Sequence, residues 1–132
     1  MPRTPKVVLD PKAMANGCWV IIYEDEGYQD ASLPVFGPSE HANLRSLPGS
    51  NGKDWGDDID SLVVGPQCWL QVFADEGFSD TSAWYGPNSH IPGLGDMGDE
   101  IDSMKLFNVP QPEYFEFLRR QEKLSKGSTR IP

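Results

Sequence analysis

An internal repeat constrains this chain more than any other feature. Moving the sequence by 50 positions places Cys18-Trp19 on Cys68-Trp69 and Asp25-Glu26-Gly27 on Asp75-Glu76-Gly77. At a shift of 49, and then after a seven-residue deletion, further pairs match: Gly37-Pro38 with Gly86-Pro87, His41 with His90, and Gly56-Asp57-Asp58-Ile59-Asp60-Ser61 with Gly98-Asp99-Glu100-Ile101-Asp102-Ser103. A unit of about 40 to 50 residues buries too little surface to be stable alone. The two copies are therefore expected to share one core.

Each copy carries the pattern of short strands. Residues 18–23 and 68–73 are rich in β-branched and aromatic side chains, and each run ends at an acidic turn closed by Gly27 or Gly77. Further strands are predicted after the acidic clusters, at residues 62–64 and 104–107. With 13 glycines and 12 prolines, the composition also favours turn-rich β structure. The prediction is an all-β, eight-stranded antiparallel sandwich made of two Greek-key motifs.

The two ends differ from this body and give the predicted domain organisation. Residues 112–126 read as a helix, with Pro112 in its first turn, acidic residues early and basic residues late. Its apolar face, which consists of Tyr114, Phe115, Phe117, Leu118 and Leu124, could pack on its own sandwich or on a neighbouring subunit. The segments are an extended basic arm (1–17), a β domain (18–109, with motif A 18–66 and motif B 67–109) and a helical tail (110–132).

Charge is distributed unevenly along the chain. The formal net charge is -9, but residues 18–107 alone carry 16 acidic and 3 basic side chains. Nucleic acid is not expected as a partner, because phosphate contacts need clustered Lys and Arg. The carboxylates of such an acidic segment repel one another unless cations lie among them. A metal site is therefore a reasonable hypothesis.

The cysteines and the apolar runs exclude other classes. Cys18 and Cys68 are too few for a disulfide scaffold or a thiolate zinc site, and small buried strand residues are the simpler reading, although their pairing stays open. No run reaches the roughly 20 apolar residues of a membrane span, and the start lacks the apolar core of a signal peptide. A cytoplasmic protein, or a component of a particle, is the expectation.

The repeated hairpins resemble those of the βγ-crystallins, whose domain is a pair of Greek keys. That family's hairpin signature is an aromatic residue, four residues, a second aromatic, one residue and a glycine. Here the three places are filled by Tyr23, Tyr28 and Asp30 in one copy and by Phe73, Phe78 and Asp80 in the other. Asp replaces the glycine twice, which is tolerable because Asp accepts positive φ more readily than most residues. The resemblance covers residues 18–109.

The acidic clusters resemble the calcium motif of the microbial members of this family. That motif is Asn or Asp twice, two variable residues, Ser or Thr, and Ser. The segments 56–61 and 98–103 match at the second and sixth places, but Gly stands at the first place and Asp at the fifth in both. The added Asp increases negative charge at each site.

The resemblance implies two calcium cages, each shared between the motifs. Ca²⁺ takes about six to eight oxygen ligands in tolerant geometry, which suits a mixture of carboxylates, carbonyls and water. One cage would use the carbonyls of Glu24 and Asp58 with the carboxylates of Asp60 and Asp99. The other would use the carbonyls of Ala74 and Glu100 with the carboxylates of Asp102 and Asp57.

No catalytic constellation accompanies these loops, and an enzyme is not expected. His41 and His90 lie in Gly-Pro loops and suit a turn role. The predicted function is that of a non-enzymatic, calcium-binding structural protein, tied into a homo-oligomer or larger assembly through residues 1–17 and 112–126. The alternatives are an inhibitor or toxin of the secreted type on the same fold, or a carbohydrate-binding module using the more open indoles of Trp55 and Trp84.

Overall fold

The computed structural model describes residues 17–47, 54–98 and 100–129. Eight strands and a C-terminal helix follow one another, with short 3-10 helices at Leu44–Ser46 and Gly95–Met97. The strands are β1 (Trp19–Asp25), β2 (Gln29–Phe36), β3 (Ser39–His41), β4 (Ser61–Val64), β5 (Trp69–Asp75), β6 (Ser79–Tyr85), β7 (His90–Ile91) and β8 (Ser103–Phe107), and the helix is α1 (Pro112–Thr129). The all-β prediction with a C-terminal helix is confirmed, while the predicted N-terminal arm lies almost wholly outside the described residues.

The strands form two four-stranded antiparallel sheets that exchange a strand. The first sheet has the order β2-β1-β4-β7, and the second has the order β3-β8-β5-β6. Thus β3 of the first copy pairs with β8 of the second, and β7 of the second copy pairs with β4 of the first. The exchanged strands make the two Greek keys one interlocked sandwich.

The core lies between the sheets and draws on both copies. Alternating residues of β1, Val20 and Ile22, point into it from one sheet, and Leu70 and Val72 of β5 do so from the other. Cys18 and Cys68 meet there as two thiols, with their Sγ atoms 2.8 Å apart and both residues fully buried. The interpretation of these cysteines as small buried residues agrees with this placement.

The helix α1 is attached through its first turn. Tyr114 packs edge-on against Trp84 of β6, with ring centroids 6.1 Å apart, and Tyr114 N–H donates to the carbonyl of Gln111. Phe115 and Leu118 remain 43% and 42% exposed. The helix therefore docks on its own sandwich at its start, while two members of its predicted apolar face stay open to solvent. No helix in the part of the chain described here has the length and apolarity to cross a membrane.

Candidate metal centre

The candidate centre includes two hairpins, each of which contains a β-bulge. The β1–β2 register shifts between Tyr23 and Asp25, and the β5–β6 register shifts between Phe73 and Asp75. At each shift one residue of the first strand, Glu24 or Ala74, faces two residues of the second strand, 30–31 or 80–81, so the bulges lie in β2 and β6. Glu24 and Ala74 are the two hairpin positions predicted to supply carbonyl ligands, and bulges commonly re-aim groups beside functional sites.

The acidic loops lie directly beside these bulges. Asp60 N–H donates to the Tyr23 carbonyl over 3.0 Å, and Asp102 N–H donates to the Phe73 carbonyl over 2.9 Å. Each fifth-place aspartate is thereby held one residue away from the bulge of its own copy. The structure brings Glu24 and Asp60 together in one place and Ala74 and Asp102 together in another, as the predicted cages require.

The serine at the sixth place of each motif fixes the hairpin turn. Ser61 Oγ donates to the Asp25 carbonyl over 2.6 Å and accepts from Tyr28 N–H over 3.1 Å. Ser103 Oγ makes the equivalent bonds, to the Asp75 carbonyl and from Phe78 N–H. Both serines are fully buried, so the acidic loop and the hairpin form one rigid unit in each copy.

The crosswise contact between the motifs is present at one of the two cages. Asp57 of the first motif has φ of 59° and donates its N–H to the Ile101 carbonyl of the second motif over 3.2 Å. The Asp57 side chain lies against Asp102, which is two residues after Glu100 in the chain. Four predicted ligand residues of one cage therefore lie together: Asp57, Ala74, Glu100 and Asp102.

The Asp102 carboxylate is the most informative group at this cage. The residue is only 9% exposed, and its Oδ1 atom is buried without a hydrogen-bond partner. Burial raises the pKa of Asp102 above its ordinary range, and the Asp57 carboxylate raises it further through charge and hydrogen bonding, while Arg45 opposes them. A buried carboxylate with an unsatisfied oxygen is costly unless a cation or proton compensates it.

The other cage is described in part. Asp60 of the first motif is bonded to Tyr23, the residue before Glu24, and the Asp60 carbonyl accepts from Leu94 N–H over 3.1 Å. Asp58 lies two residues before Asp60, and its N–H donates to the Trp55 carbonyl. Asp99, the predicted crosswise ligand, lies outside the described residues. The predicted roles of these four residues as ligands stay predictions.

The two departures from the family motif are sterically coupled. A Cβ atom added to Gly56 would lie 3.0 Å from Asp102 Oδ1, and one added to Gly98 would lie 3.0 Å from Asp60 Oδ1. Glycine at the first place of each motif thus leaves room for the aspartate at the fifth place of the other. Sequence reasoning noted both changes but missed their connection.

Side chains alone do not complete a metal site in the described part of the chain. Among those residues, no three His, Cys, Asp or Glu side chains are grouped so that they could hold a metal ion. The Asp57–Asp102 pair fits a cation only with backbone carbonyls and water as further ligands. Ca²⁺ is the common ion that accepts such a mixture, whereas a transition metal would favour His or Cys.

Tryptophan exposure differs from the expectation. Trp55 and Trp84 were expected to be the more open indoles, but they are 1% and 7% exposed. Trp55 belongs to the core, where its backbone N–H donates to the Leu44 carbonyl, and Trp84 stacks on Phe107 with centroids 5.7 Å apart. Trp69 of β5 is more accessible than either.

The histidine environment agrees with a local structural role. His41 Nε2 lies 3.0 Å from Ser39 Oγ, which itself donates to the Phe36 carbonyl. Burial lowers the pKa of His41 from its ordinary value of 6.5, so the neutral ring is favoured. The serine proton is committed to a backbone carbonyl, which is not the arrangement of an activated nucleophile.

Two exchanged four-stranded sheets with paired bulged hairpins define the class: the chain has the βγ-crystallin fold. Among solved structures it is similar to a βγ-crystallin domain from Clostridium beijerinckii, with 26% identity and a TM-score of 0.58 over 68% of this chain and 98% of that chain. A structure concerning the evolution of the eye lens βγ-crystallin domain fold shows 24% identity and a TM-score of 0.62, covering 71% of this chain and 89% of that one.

A further similar structure extends the comparison at the level of fold. The N-terminal domain of Protein S shares 17% identity at a TM-score of 0.59, over 70% of this chain and 99% of that domain. No protein-family model matches the sequence, and no curated protein matches it. The resemblance inferred from the hairpin signatures is thus confirmed by structure.

Proposed function

We propose that this chain is a non-enzymatic βγ-crystallin-like domain that binds Ca²⁺ in its two acidic loop pairs and is stabilised by it. The observation that carries this proposal is the Asp102 carboxylate, which is almost fully buried, has an oxygen without a partner, and lies against Asp57 of the other motif. A divalent cation is the simplest group that would satisfy that oxygen and neutralise the pair.

Some residues of this cage would bind the ion, and others would hold the loops in place. Asp57 and Asp102 supply charge, Ala74 opposite the β6 bulge supplies backbone oxygen beside them, and Ser103 fixes the bulged hairpin to the acidic loop. Since the ion would bind the folded state only, it would add roughly 2.7 kcal/mol of stability at a hundredfold excess over Kd. The proposed consequence is structural: two self-repelling loops become a stabilising joint between the copies.

Calorimetric titration with Ca²⁺, and with Mg²⁺ for comparison, tests this proposal directly. Asp102→Asn should remove the heat of one site, and Asp57→Asn should damage the same site, although it lies in the other motif. Asp80→Asn is the matched control, because it removes one exposed carboxylate and Asn also accepts the φ of 70° found there. Binding that is unchanged in both cage variants would refute the assignment.

Thermal unfolding of the metal-free protein provides a second readout. Asp102→Asn removes a buried charge that lies beside another carboxylate, so we expect the metal-free protein to gain about 1 kcal/mol of stability. The same variant should lose most of the calcium-dependent rise in Tm at its site. A variant that is both less stable without calcium and still calcium-responsive would contradict the proposed role.

Assembly is the second part of the proposed function and rests on α1. Phe115 and Leu118 remain open to solvent on a helix whose first turn contacts the sandwich through Tyr114. Light scattering after gel filtration should show a concentration-dependent mass for the wild type that Phe115→Gln combined with Leu118→Gln reduces to the monomer mass. A wild-type monomer at all concentrations and salts would remove this part while leaving calcium binding intact.

The alternatives receive less support from the observed geometry. A carbohydrate-binding module of the kind considered requires open indole faces, but Trp55 and Trp84 are buried. An inhibitor or toxin of the secreted type would typically be disulfide-bonded, whereas Cys18 and Cys68 form a thiol pair. Neither alternative is favoured by a specific observation.

A further inference from the structure

The two buried thiols form a cluster that the proposed calcium function does not use. Cys18 and Cys68 hold equivalent positions, one residue before β1 and one residue before β5. Both are 0% exposed, and their Sγ atoms lie 2.8 Å apart. The acidic loops, by contrast, are bonded near the other ends of these strands, at Tyr23 and Phe73. The thiol pair therefore brings the two copies together at the opposite ends of β1 and β5 from the candidate metal centre.

Backbone hydrogen bonds hold the two cysteines in this position. Gln67 N–H donates to the Gly17 carbonyl over 2.8 Å, so the residue before one cysteine is bonded to the residue before the other. The Cys18 carbonyl accepts from Gly37 N–H over 3.0 Å, which fixes the backbone of Cys18 itself. Two separate backbone contacts therefore keep Cys18 beside Cys68.

Close packing around the thiols leaves them little room to separate. A Cβ atom added to Gly37 would lie 2.8 Å from Cys18 Sγ and 2.7 Å from Leu106 Cβ, so the chain packs tightly against that sulfur. Cys18 Sγ also lies 3.6 Å from the Phe107 carbonyl oxygen. Because a disulfide bond is about 2.0 Å long, the two sulfur atoms need to approach each other by only about 0.8 Å to form one. The folded protein holds the pair close to bonding distance.

We propose that Cys18 and Cys68 are a modification site, at which oxidation by a low-molecular-weight disulfide such as oxidised glutathione joins the two copies covalently. The inference does not depend on the proposed calcium function. The bond would close a loop made of residues 19–67, which is nearly the whole of the first copy. Because a cross-link of this span removes conformational freedom from the unfolded chain, the oxidised protein should be more stable than the reduced one.

The reaction consists of two thiol–disulfide exchanges. The thiolate of one cysteine attacks a sulfur of oxidised glutathione, which forms a mixed disulfide and releases one glutathione thiolate. The thiolate of the other cysteine attacks the protein sulfur of that mixed disulfide, which forms the Cys18–Cys68 bond and releases the second glutathione. The protein loses two electrons and two protons, and one oxidised glutathione becomes two glutathione thiols. Because both cysteines are fully buried, the first exchange takes place on an opened molecule, and refolding brings the second thiol to the first.

Refolding in glutathione buffers tests the inference. The reduced full-length chain is diluted from urea into buffers with different ratios of oxidised to reduced glutathione, while a second sample stays in urea throughout. Acid quenching, alkylation of the remaining thiols and mass spectrometry then measure the fractions of dithiol, mixed disulfide and internal disulfide. We expect the equilibrium constant for the internal disulfide to be roughly a hundredfold or more larger in the folded protein than in urea. Equal constants, or folded protein in which mixed disulfides or intermolecular dimers predominate, would overturn the inference.

Urea unfolding of the oxidised and reduced proteins provides an independent readout. The urea midpoint of the wild type should be higher after oxidation than in dithiothreitol, which is a reference that needs no substitution. Cys18→Ala combined with Cys68→Ala is the control, because its midpoint should be the same in both buffers. An oxidised wild type no more stable than the reduced one would contradict the covalent joint.

The same unfolding comparison, made with Ca²⁺ and with a chelator, separates this inference from the proposed function. The rise on oxidation should appear in both conditions, because the thiols and the acidic loops lie at opposite ends of β1 and β5. A rise on oxidation without any effect of calcium would support the modification site and count against the proposed calcium function.

Discussion

At the scale of single residues, the glycine at the first place of each acidic motif depends on the aspartate at the fifth place of the other motif. Gly56 faces Asp102 and Gly98 faces Asp60, each so closely that an added Cβ atom would lie 3.0 Å from a carboxylate oxygen, which would have to shift. The sequence displays both departures from the motif, but their coupling depends on the pairing of opposite motifs in space. Only the folded arrangement reveals that the two changes belong together.

Gly56→Ala should therefore weaken the Asp57–Asp102 cage. Its added methyl group would displace Asp102 Oδ1, and we expect calcium affinity at that cage to fall by roughly tenfold, with a stability loss of about 1 kcal/mol. Adding Asp102→Ser to this variant removes the clash and should recover the stability lost. Calcium titration and thermal unfolding measure the two effects. Additive losses in the double variant would show that the two residues do not compete for space.

His41 predicts a pH dependence of stability. Its pKa is lowered in the folded state below the unfolded value of 6.5, so the unfolded chain binds more protons between the two values. Stability should therefore fall as pH is lowered through that interval, and His41 should cause no further loss below the folded-state pKa. Urea unfolding between about pH 5 and pH 7 measures this dependence.

A histidine control separates this effect from general acid sensitivity. His41→Gln should flatten the pH dependence, while replacement of the exposed, repeat-equivalent His90 by Gln should leave it largely unchanged. The contribution of His41 would be excluded if both variants kept the wild-type slope.

At the scale of elements, the hairpins were the most predictable part of the fold. Asp30 and Asp80 have φ of 67° and 70°, so the replaced glycines keep the left-handed backbone expected from the signature. The aromatic pairs Tyr23–Tyr28 and Phe73–Phe78 meet edge to face, with centroids 5.5 and 5.6 Å apart. Local sequence determines these features, because each involves residues only a few positions apart.

The exchanged strands were not predictable in the same way. β3 and β7 contain only three and two residues, and neither carries a run of β-branched side chains. Their pairing is determined by partners far away in sequence, β8 and β4. The strand count was predicted from the repeat and the local strand patterns, but the position of each short strand required long-range contacts. The proximity of Arg45 to Asp102 was missed for the same reason, although the sequence shows that Arg45 is one of only three basic residues between positions 18 and 107.

The serine bridges predict a local loss of stability. Ser61→Ala or Ser103→Ala would leave one partly buried N–H and one carbonyl of the turn without their partner, at a cost of about 2 kcal/mol for each substitution. Ser79→Ala is the control, because that exposed hydroxyl makes a single bond to the Glu76 carbonyl. Urea unfolding should show a large shift for the buried serines and a shift below about 0.5 kcal/mol for the control. Equal shifts for the buried serines and for Ser79→Ala would show that the serine bridges do not stabilise the hairpins.

At the scale of the whole molecule, the reactivity of the two thiols measures how cooperatively the sandwich opens. Cys18 and Cys68 are fully buried, one from each copy, and the hydrogen bond with Cys18, together with burial, raises the pKa of Cys68. Alkylation requires both access and a thiolate. We therefore expect both thiols to resist alkylation in the folded protein and to react together when the molecule opens globally.

Calcium should slow that reaction. At a hundredfold excess over Kd, one filled site lowers the open population roughly a hundredfold, and mass spectrometry of timed alkylation would measure the change. Urea-unfolded protein serves as the control for intrinsic reactivity. Rapid labelling of one cysteine in the folded, calcium-loaded protein would contradict a cooperative shared core.

The strand exchange also determines what one half of this chain could do by itself. A separate copy would lack the fourth strand of its sheet, and two such chains would complete each other as a swapped homodimer does. Residues 65–67 join the halves, with Gly65 N–H bonded to the Trp19 carbonyl and Gln67 N–H to the Gly17 carbonyl. This short tether converts a bimolecular encounter into an intramolecular one, so formation of the sandwich no longer depends on how dilute the protein is.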